Sequence, residues 1–137
     1  MNRVVITGIG IISCLGNDKK EVLTSLFESR SGLTLNPEYK ENGMRCHISG
    51  QVNPNLEVID RKMLRFMSET SAYAFLSTKE ALADAGLSIE DINNDNTGVI
   101  VGSGTGSSRE VKNVVDTARE KGIKRIGLGW RSKYYWR

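Results

Sequence analysis

Cysteine and histidine are scarce in this chain of 137 residues, which has two cysteines, Cys14 and Cys46, and one histidine, His47. A structural zinc site usually takes four Cys or His ligands, so these three residues are too few to build one. The cysteines also lack the CxxC spacing that is typical of metal and redox sites. We therefore expect two reduced thiols, the usual state in a reducing compartment, and neither a metal nor a cofactor.

Long apolar runs are absent as well. None approaches the roughly 18 residues that span a bilayer, and the first residues lack the apolar centre and cleavage site of a secretory signal. We expect a cytoplasmic protein with no membrane partner. The apolar share of 39% and the charged share of 26% are ordinary for a soluble globular chain, and the length suits one domain.

Acidic residues are absent from Lys121 onward, where six of the 19 basic residues lie. The first 120 residues hold the other 13 basic residues and all 16 acidic ones. The tail also contains both tryptophans and two of the four tyrosines. Basic aromatic clusters can stack on single-stranded nucleic acid, but this tail has no helical or strand periodicity. We expect no nucleic-acid partner, and a tail of different origin from the body.

Strand and helix patterns alternate along the body of the chain. Runs rich in Val and Ile are typical of buried strands. Apolar residues at helical spacing predict helices, with Asn17 or Asp18 and then Asp60 as N-caps, and with Gly32 and Gly86 as C-caps. Strands are predicted at 3–12, 46–52 and 97–101, and helices at 18–31, 60–85 and 109–121. This order predicts an α/β layered fold with a partly parallel sheet. The Ala-rich and Ser-rich helix is expected to pack closely against another element.

Two glycine-rich loops raise the question of a phosphate site. Gly8 and Gly10 match two glycines of the GxGxxG fingerprint, but a serine takes the third place and the next helix starts late. A nucleotide-binding oxidoreductase fragment is therefore only an alternative. The second loop, 102–108, lacks the Lys-Ser/Thr ending of a P-loop. It is either a turn in which glycine supplies positive φ or the wall of a pocket.

No nucleophile is paired with a base in the sequence. The serines of the second loop have no obvious base. Cys46 and His47 are adjacent, and adjacent residues of a strand face opposite sides. We expect no catalytic residue among them.

Five stretches resemble the N-terminal part of a β-ketoacyl-acyl-carrier-protein synthase, the class I condensing enzyme of bacterial fatty-acid synthesis. The resemblance runs from Met1 to about Gly127, and the third and fourth stretches are its most specific parts. The five stretches are "VVITGIGIISCLGN", "SLFESRSGL", "GMRCHISGQV", "IDRKMLRFMSETSAYAFLSTKEALADAGLS" and "GVIVGSGTGSS".

The resemblance implies the N-terminal portion of a thiolase-like layered α-β-α fold, incomplete here, in which the first glycines turn a strand and bind no nucleotide. The family joins an acyl group, held on a cysteine, to the carbanion left when malonyl carrier protein loses carbon dioxide. In the family that cysteine and two catalytic histidines lie beyond the point where this sequence stops, so we expect an inactive chain. Residues 1–127 form the partial synthase domain, and 128–137 read as a tail from truncation or frame-shift.

The resemblance also implies a basic surface for acidic acyl carrier protein. Arg61, Lys62 and Arg65 match it, and at helical spacing they fall on one face. Lys121 and Lys124 match further basic positions that, in the family's homodimer, face the carrier protein docked on the partner subunit.

Thr105 matches the middle of the loop that gates the family's acyl pocket. Many class I members have glycine there, so the resemblance leaves the preferred length of the acyl chain open.

A second alternative function is a non-catalytic module that binds carrier protein or dimerises with a full-length subunit.

Overall fold

The computed structural model describes residues 3–104 and 106–127. Contacts divide the chain into two units: the first takes in the described residues up to Asn55 together with Leu76–Asn94, and the second takes in Leu56–Phe75 and the described residues from Asp95 onward. The helices are α1 (Lys19–Phe27), α2 (Pro37–Glu41), α3 (Arg61–Leu64), α4 (Glu69–Ala85), α5 (Ile89–Ile92) and α6 (Ser108–Lys121). The strands are β1 (Leu33–Leu35) and β2 (Ile48–Gly50), and short 3-10 helices cover Leu56–Val58 and Ile123–Arg125.

Helix α1 begins where the capping residues predict. The Asp18 carboxylate accepts the backbone N–H of Glu21 at 2.7 Å, and the Glu21 carboxylate accepts the N–H of Asn17 at 2.8 Å. The cap thus satisfies a backbone donor of the first helical turn, and the Glu21 side chain satisfies the donor of the residue that precedes the cap. The predicted start of this helix is confirmed.

Helix α1 ends at Phe27, and the left-handed residue that closes it is Ser29 and not the expected Gly32. Ser29 has a φ of 53°, and the N–H of Arg30 donates to the carbonyl of Ser25 at 2.8 Å, closing the helix as a Schellman turn does. A left-handed conformation costs a residue with a Cβ about 1–2 kcal/mol. Gly32 serves packing instead, because a Cβ there would lie 2.7 Å from the Cys14 sulfur.

The two strands of the first unit form an antiparallel hairpin. Leu33 pairs with Gly50 and Leu35 with Ile48, and β2 confirms the short strand expected near 46–52. Leu35 is 75% exposed and Ile48 48%, so this face of the hairpin stays open to solvent.

The other two predicted strands are wrong. Within the described residues β1 and β2 form the only sheet, and neither 3–12 nor 97–101 is a strand. Val4 is 92% exposed and Ile100 100%. A strand forms only beside a neighbouring strand to which it is hydrogen-bonded. A run of Val and Ile does not show whether such a neighbour exists.

The first glycines instead bring the chain against helix α4. A Cβ added to Gly10 would lie 2.7 Å from the carbonyl carbon of Ser77 and 2.8 Å from the nitrogen of Ala81. A Cβ on Gly8 would lie 2.8 Å from the nitrogen of Ala85. Neither glycine has a positive φ, so their role is close approach and not the turn that we expected. The predicted close packing of the Ala-rich helix is confirmed.

Two carboxylates of α4 hold the same segment through its backbone. Glu80 accepts the N–H of Ile11 at 2.8 Å and of Lys19 at 2.6 Å. Asp84 accepts the N–H of Ile9 at 3.0 Å and pairs with the Lys19 ammonium. In a strand these backbone N–H groups would donate to the carbonyls of a neighbouring strand. Here they donate to the carboxylates of two α4 side chains.

Helix α4 is separate from α3, so the predicted continuous helix over 60–85 is wrong. Asp60 caps only the four residues of α3. The Ser68 hydroxyl, in a buried residue, accepts the N–H of Ser71 at 3.2 Å at the start of α4, which is the hydrogen bond of an N-cap. The predicted end is confirmed, since Gly86 follows α4 with a φ of 69°.

The second unit also contains α6, which confirms the helix predicted over 109–121. Ser107 caps its first turn, and Gly122 follows it with a φ of 82°. Few side chains are deeply buried in the described residues: Val22 and Ser25 in the first unit, and Ile59, Ser68 and Ala72 in the second. None of the helices in these residues is both long and apolar enough to cross a membrane.

We expect Gly10→Ala to destabilise the chain strongly. The new methyl group would meet the backbone of α4 around Ser77 and Ala81, and such overpacking lowers the free energy of unfolding by about 1–3 kcal/mol. Gly98→Ala is the matched control, because no heavy atom lies within 4 Å of its added Cβ. Urea unfolding followed by circular dichroism compares them. Equal midpoints for the two variants would show that the close approach is not required.

The Asp84 carboxylate should make stability depend on pH. Its hydrogen bonds with Lys19 and with the N–H of Ile9 hold the pKa of Asp84 below its ordinary value of 3.8. The stabilisation is therefore complete above that value and is lost as the pH falls through the lowered pKa. We expect Asp84→Asn to lower the urea midpoint at about pH 6, and the difference from the parent to shrink as the pH falls below 3.8. Asp95→Asn serves as control, and a pH-independent difference contradicts the prediction.

Candidate functional site

The short helix α3 holds its side chains in a defined turn. The Asp60 carboxylate accepts the N–H of Lys62 at 2.8 Å and of Met63 at 3.3 Å. Beyond the helix the N–H of Phe66 donates to the carbonyl of Met63 at 2.9 Å. Hydrogen bonds at both ends thus fix the direction of the residues between them.

Arg61, Lys62 and Arg65 lie on this turn, and we call them the basic turn. All three are exposed, and within the described residues none of them forms an ion pair. Arg61 and Arg65 are four residues apart, which places them as neighbours on a helix surface. The basic turn therefore presents three cations to solvent with no carboxylate of the described chain bound to them.

Lys121 and Lys124 form a second basic pair. Lys121 is the last residue of α6 and Lys124 lies in the following 3-10 helix; both are exposed. Thr105 and the tail 128–137 lie outside the described residues.

The glycine loops show no phosphate cradle at the predicted positions. The space beside Gly8 and Gly10 is filled by the backbone of α4, so a pyrophosphate has no room to approach there. In the second loop Gly102 and Gly104 do not have a positive φ, so the turn interpretation is wrong for these two. The pocket-wall interpretation of that loop stays a prediction.

Within the described residues no hydrogen bond joins the side chain of His47 to Cys14 or Cys46. Cys14 is half-buried beside Gly32 and Gly50. The exposed Cys46 has its sulfur 3.8 Å from the Ile48 carbonyl. In the part of the chain that the structure describes, no group of three or more His, Cys, Asp and Glu side chains is placed to hold a metal ion.

An ion pair within the second unit has no signal in the sequence. Arg109, in the first turn of α6, pairs with Glu69, in the first turn of α4, 40 residues earlier. Burial and the negative charge of Glu69 raise the pKa of the nearby Tyr73, while Arg109 opposes that shift. Contacts this distant in sequence leave no local pattern, so sequence reasoning missed them.

The linings of two cavities include none of the predicted basic residues. One of about 600 Å³ adjoins α1 and is lined by Asp18, Lys20 and Arg30 among others. One of about 160 Å³ lies beside α6 and includes Asn113 and Arg125. Neither contains a residue of the basic turn. The candidate site is therefore an exposed charged surface, unlike the largely apolar pockets that bind small ligands.

A family model described as "Beta-ketoacyl synthase, N-terminal domain" matches residues 1–131. The chain belongs to this family. It is 51% identical over 130 residues to 3-oxoacyl-[acyl-carrier-protein] synthase 1 of Escherichia coli K12, covering 93% of this chain and 32% of that protein. It is 48% identical over 130 residues to the protein of the same name from Haemophilus influenzae, with the same coverage.

The structure is similar to the crystal structure of a beta-ketoacyl synthase from Burkholderia phymatum STM815. The TM-score is 0.77 at 28% sequence identity, covering 98% of this chain and 34% of that one. The resemblance found in the sequence is confirmed, and so is the partial thiolase-like α/β fold. The chain spans about a third of the length of the curated relatives it matches.

Proposed function

We propose that this chain is part of a 3-oxoacyl-[acyl-carrier-protein] synthase of fatty-acid biosynthesis and supplies a surface that docks acyl carrier protein. Family membership and the names of the E. coli and H. influenzae relatives support the reaction. The basic turn carries the docking proposal, because its three cations are exposed and make no ion pair within the described chain.

The basic turn acts by electrostatic attraction. Exposed charges of one sign raise the rate at which an oppositely charged partner arrives, more than they raise its final affinity. Over the Debye length of about 10 Å at 0.1 M salt, the three cations act on an approaching acidic surface together. Docking at this surface delivers the thioester of the carrier protein to the enzyme.

Condensation itself requires groups that these 137 residues do not match. The family's nucleophilic cysteine needs a lowered pKa, and its histidines support loss of carbon dioxide and hold the developing oxyanion. Cys14 is packed beside two glycines, and Cys46 lies two residues before β2. In this proposal these 137 residues contribute binding, and the family's cysteine and histidines supply the chemistry.

Further parts of the proposal concern residues matched by resemblance. Lys121 and Lys124 serve the carrier protein docked on the partner subunit of a homodimer, and Thr105 gates the acyl pocket. The synthase domain covers 1–127, with 128–137 as a separate tail, and the protein acts in the cytoplasm.

No observation favours the alternative of a nucleotide-binding oxidoreductase fragment, since α4 fills the space beside Gly8 and Gly10.

The purified 137-residue chain should have no condensing activity, because neither cysteine matches the family's nucleophile. Acyl and malonyl carrier proteins are supplied together, and the 3-oxoacyl product is measured by mass spectrometry. We expect product at the level of a heat-killed control. Turnover above that level that disappears with Cys14→Ala or Cys46→Ala contradicts the prediction.

Carrier-protein binding should depend on the basic turn. We expect Arg61→Ala/Arg65→Ala to slow association roughly tenfold at low salt, because it removes two steering charges. The difference should shrink at 1 M salt, where the Debye length is about 3 Å. Stopped-flow fluorescence with labelled acyl carrier protein measures the rate.

Lys20→Ala/Lys40→Ala is the matched control, because it removes two positive charges from exposed residues outside the basic turn. A version that ends at Gly127 reports the contribution of the basic tail. Loss of binding on removal of the tail, with intact binding of the Arg61→Ala/Arg65→Ala variant, overturns the docking assignment.

A further inference from the structure

The turn that follows helix α2 places an asparagine directly before a glycine. Of the asparagines in the sequence, only Asn42 has glycine as its next residue. The backbone nitrogen of the residue after an asparagine is a nucleophile toward the carbon of the side-chain amide, and a side chain on that residue hinders its approach. Gly43 has no Cβ, so the approach is free of this hindrance at Asn42 alone.

Both residues of this turn are open to solvent. Asn42 and Gly43 are exposed, and apart from the chain neighbours no heavy atom lies within 4 Å of the position that a Cβ on Gly43 would take. Gly43 has a φ of 68°, a left-handed conformation that costs glycine little. A cyclic imide formed from these two residues therefore has space around it, and water reaches it.

Two hydrogen bonds hold the reacting groups apart from each other in the folded turn. The Asn42 side-chain amide donates to the carbonyl of Glu38 at 2.8 Å, which directs it toward α2. The N–H of Gly43 donates to the carbonyl of Lys40 at 3.1 Å, which occupies the nucleophile. Reaction requires both hydrogen bonds to break, so it proceeds through the molecules in which the end of α2 has opened locally.

We propose that Asn42 is a deamidation site, and that the local opening of α2 sets its rate. In the open turn hydroxide takes the proton of the Gly43 N–H, and the nitrogen forms a bond to the side-chain carbon of Asn42. The bond from that carbon to the amide nitrogen breaks, and the nitrogen takes a proton from water and leaves as ammonia. Water then opens the succinimide at either carbonyl, leaving aspartate or isoaspartate. Nothing is oxidised or reduced, and the chain exchanges an NH₂ group for a hydroxyl group that ionises.

The new carboxylate weakens the turn that carries it. It no longer donates to the Glu38 carbonyl, and it lies four residues after the Glu38 carboxylate, a spacing at which like charges repel each other on a helix. It also lies at the C-terminal end of α2, where negative charge is unfavourable. Isoaspartate in addition lengthens the main chain between α2 and β2. Deamidation at Asn42 therefore loosens the connection between the two strands of the hairpin.

The test follows each asparagine of the full 137-residue chain by peptide mass spectrometry during incubation at neutral pH. We expect Asn42 to convert first, and to convert faster in urea at the same pH because the two hydrogen bonds are then broken. Asn42→Gln should show no early conversion. A folded chain in which Asn42 stays intact overturns the proposal, as does another asparagine that converts equally fast. Equal rates at Asn42 in buffer and in urea overturn the dependence on opening.

Variants of a helix cap test that dependence in the folded chain. The Asn36 side chain accepts the N–H of Glu38 at 3.1 Å and caps the start of α2. We expect Asn36→Ala to raise the rate at Asn42 about fivefold, the change in opening that loss of an N-cap typically causes. Asn36→Ser keeps a capping hydroxyl and should retain the parent rate.

Ser88→Ala is the matched control, because it removes the cap of α5 in the same unit. It should leave the rate at Asn42 unchanged. Equal rates at Asn42 for Asn36→Ala and Ser88→Ala overturn the role of α2 opening, and so do equal rates for Asn36→Ala and Asn36→Ser.

Discussion

The contact between the first glycines and helix α4 organises the first unit. Two backbones approach so closely that a methyl group on Gly8 or Gly10 has no room, and this closeness lets Glu80 and Asp84 reach the backbone donors of Ile9 and Ile11. Each half of the arrangement depends on the other. Without the glycines the carboxylates are too far away, and without the carboxylates the backbone donors of an extended segment have no acceptor.

Sequence reasoning succeeded where structure is determined locally. Asp18 and Gly86 mark helix ends because a cap needs only residues within one turn. The strands at 3–12 and 97–101 were predicted wrongly because a strand depends on a neighbour that may be far away in the chain, and hydrophobic periodicity does not identify that neighbour. The break between α3 and α4 gives no signal in the sequence, because apolar residues continue at helical spacing on both sides of the Ser68 cap.

The candidate site also combines features that the sequence predicts with features that only the fold reveals. The residues of the basic turn came from the family resemblance, and the structure adds that Asp60 fixes their turn. Arg109 and Glu69 are 40 residues apart, so only the fold brings them together.

The exposed Val and Ile side chains of 3–12 and 97–101 have a consequence for how this chain associates with other chains. Short segments of high β-propensity without charge are the ones that molecular chaperones shield and that assemble into intermolecular sheets when left uncovered. Val4, Ile6 and Ile100 lie in such segments and are at least 85% exposed. Such segments therefore favour self-association of the chain wherever no neighbouring strand covers them.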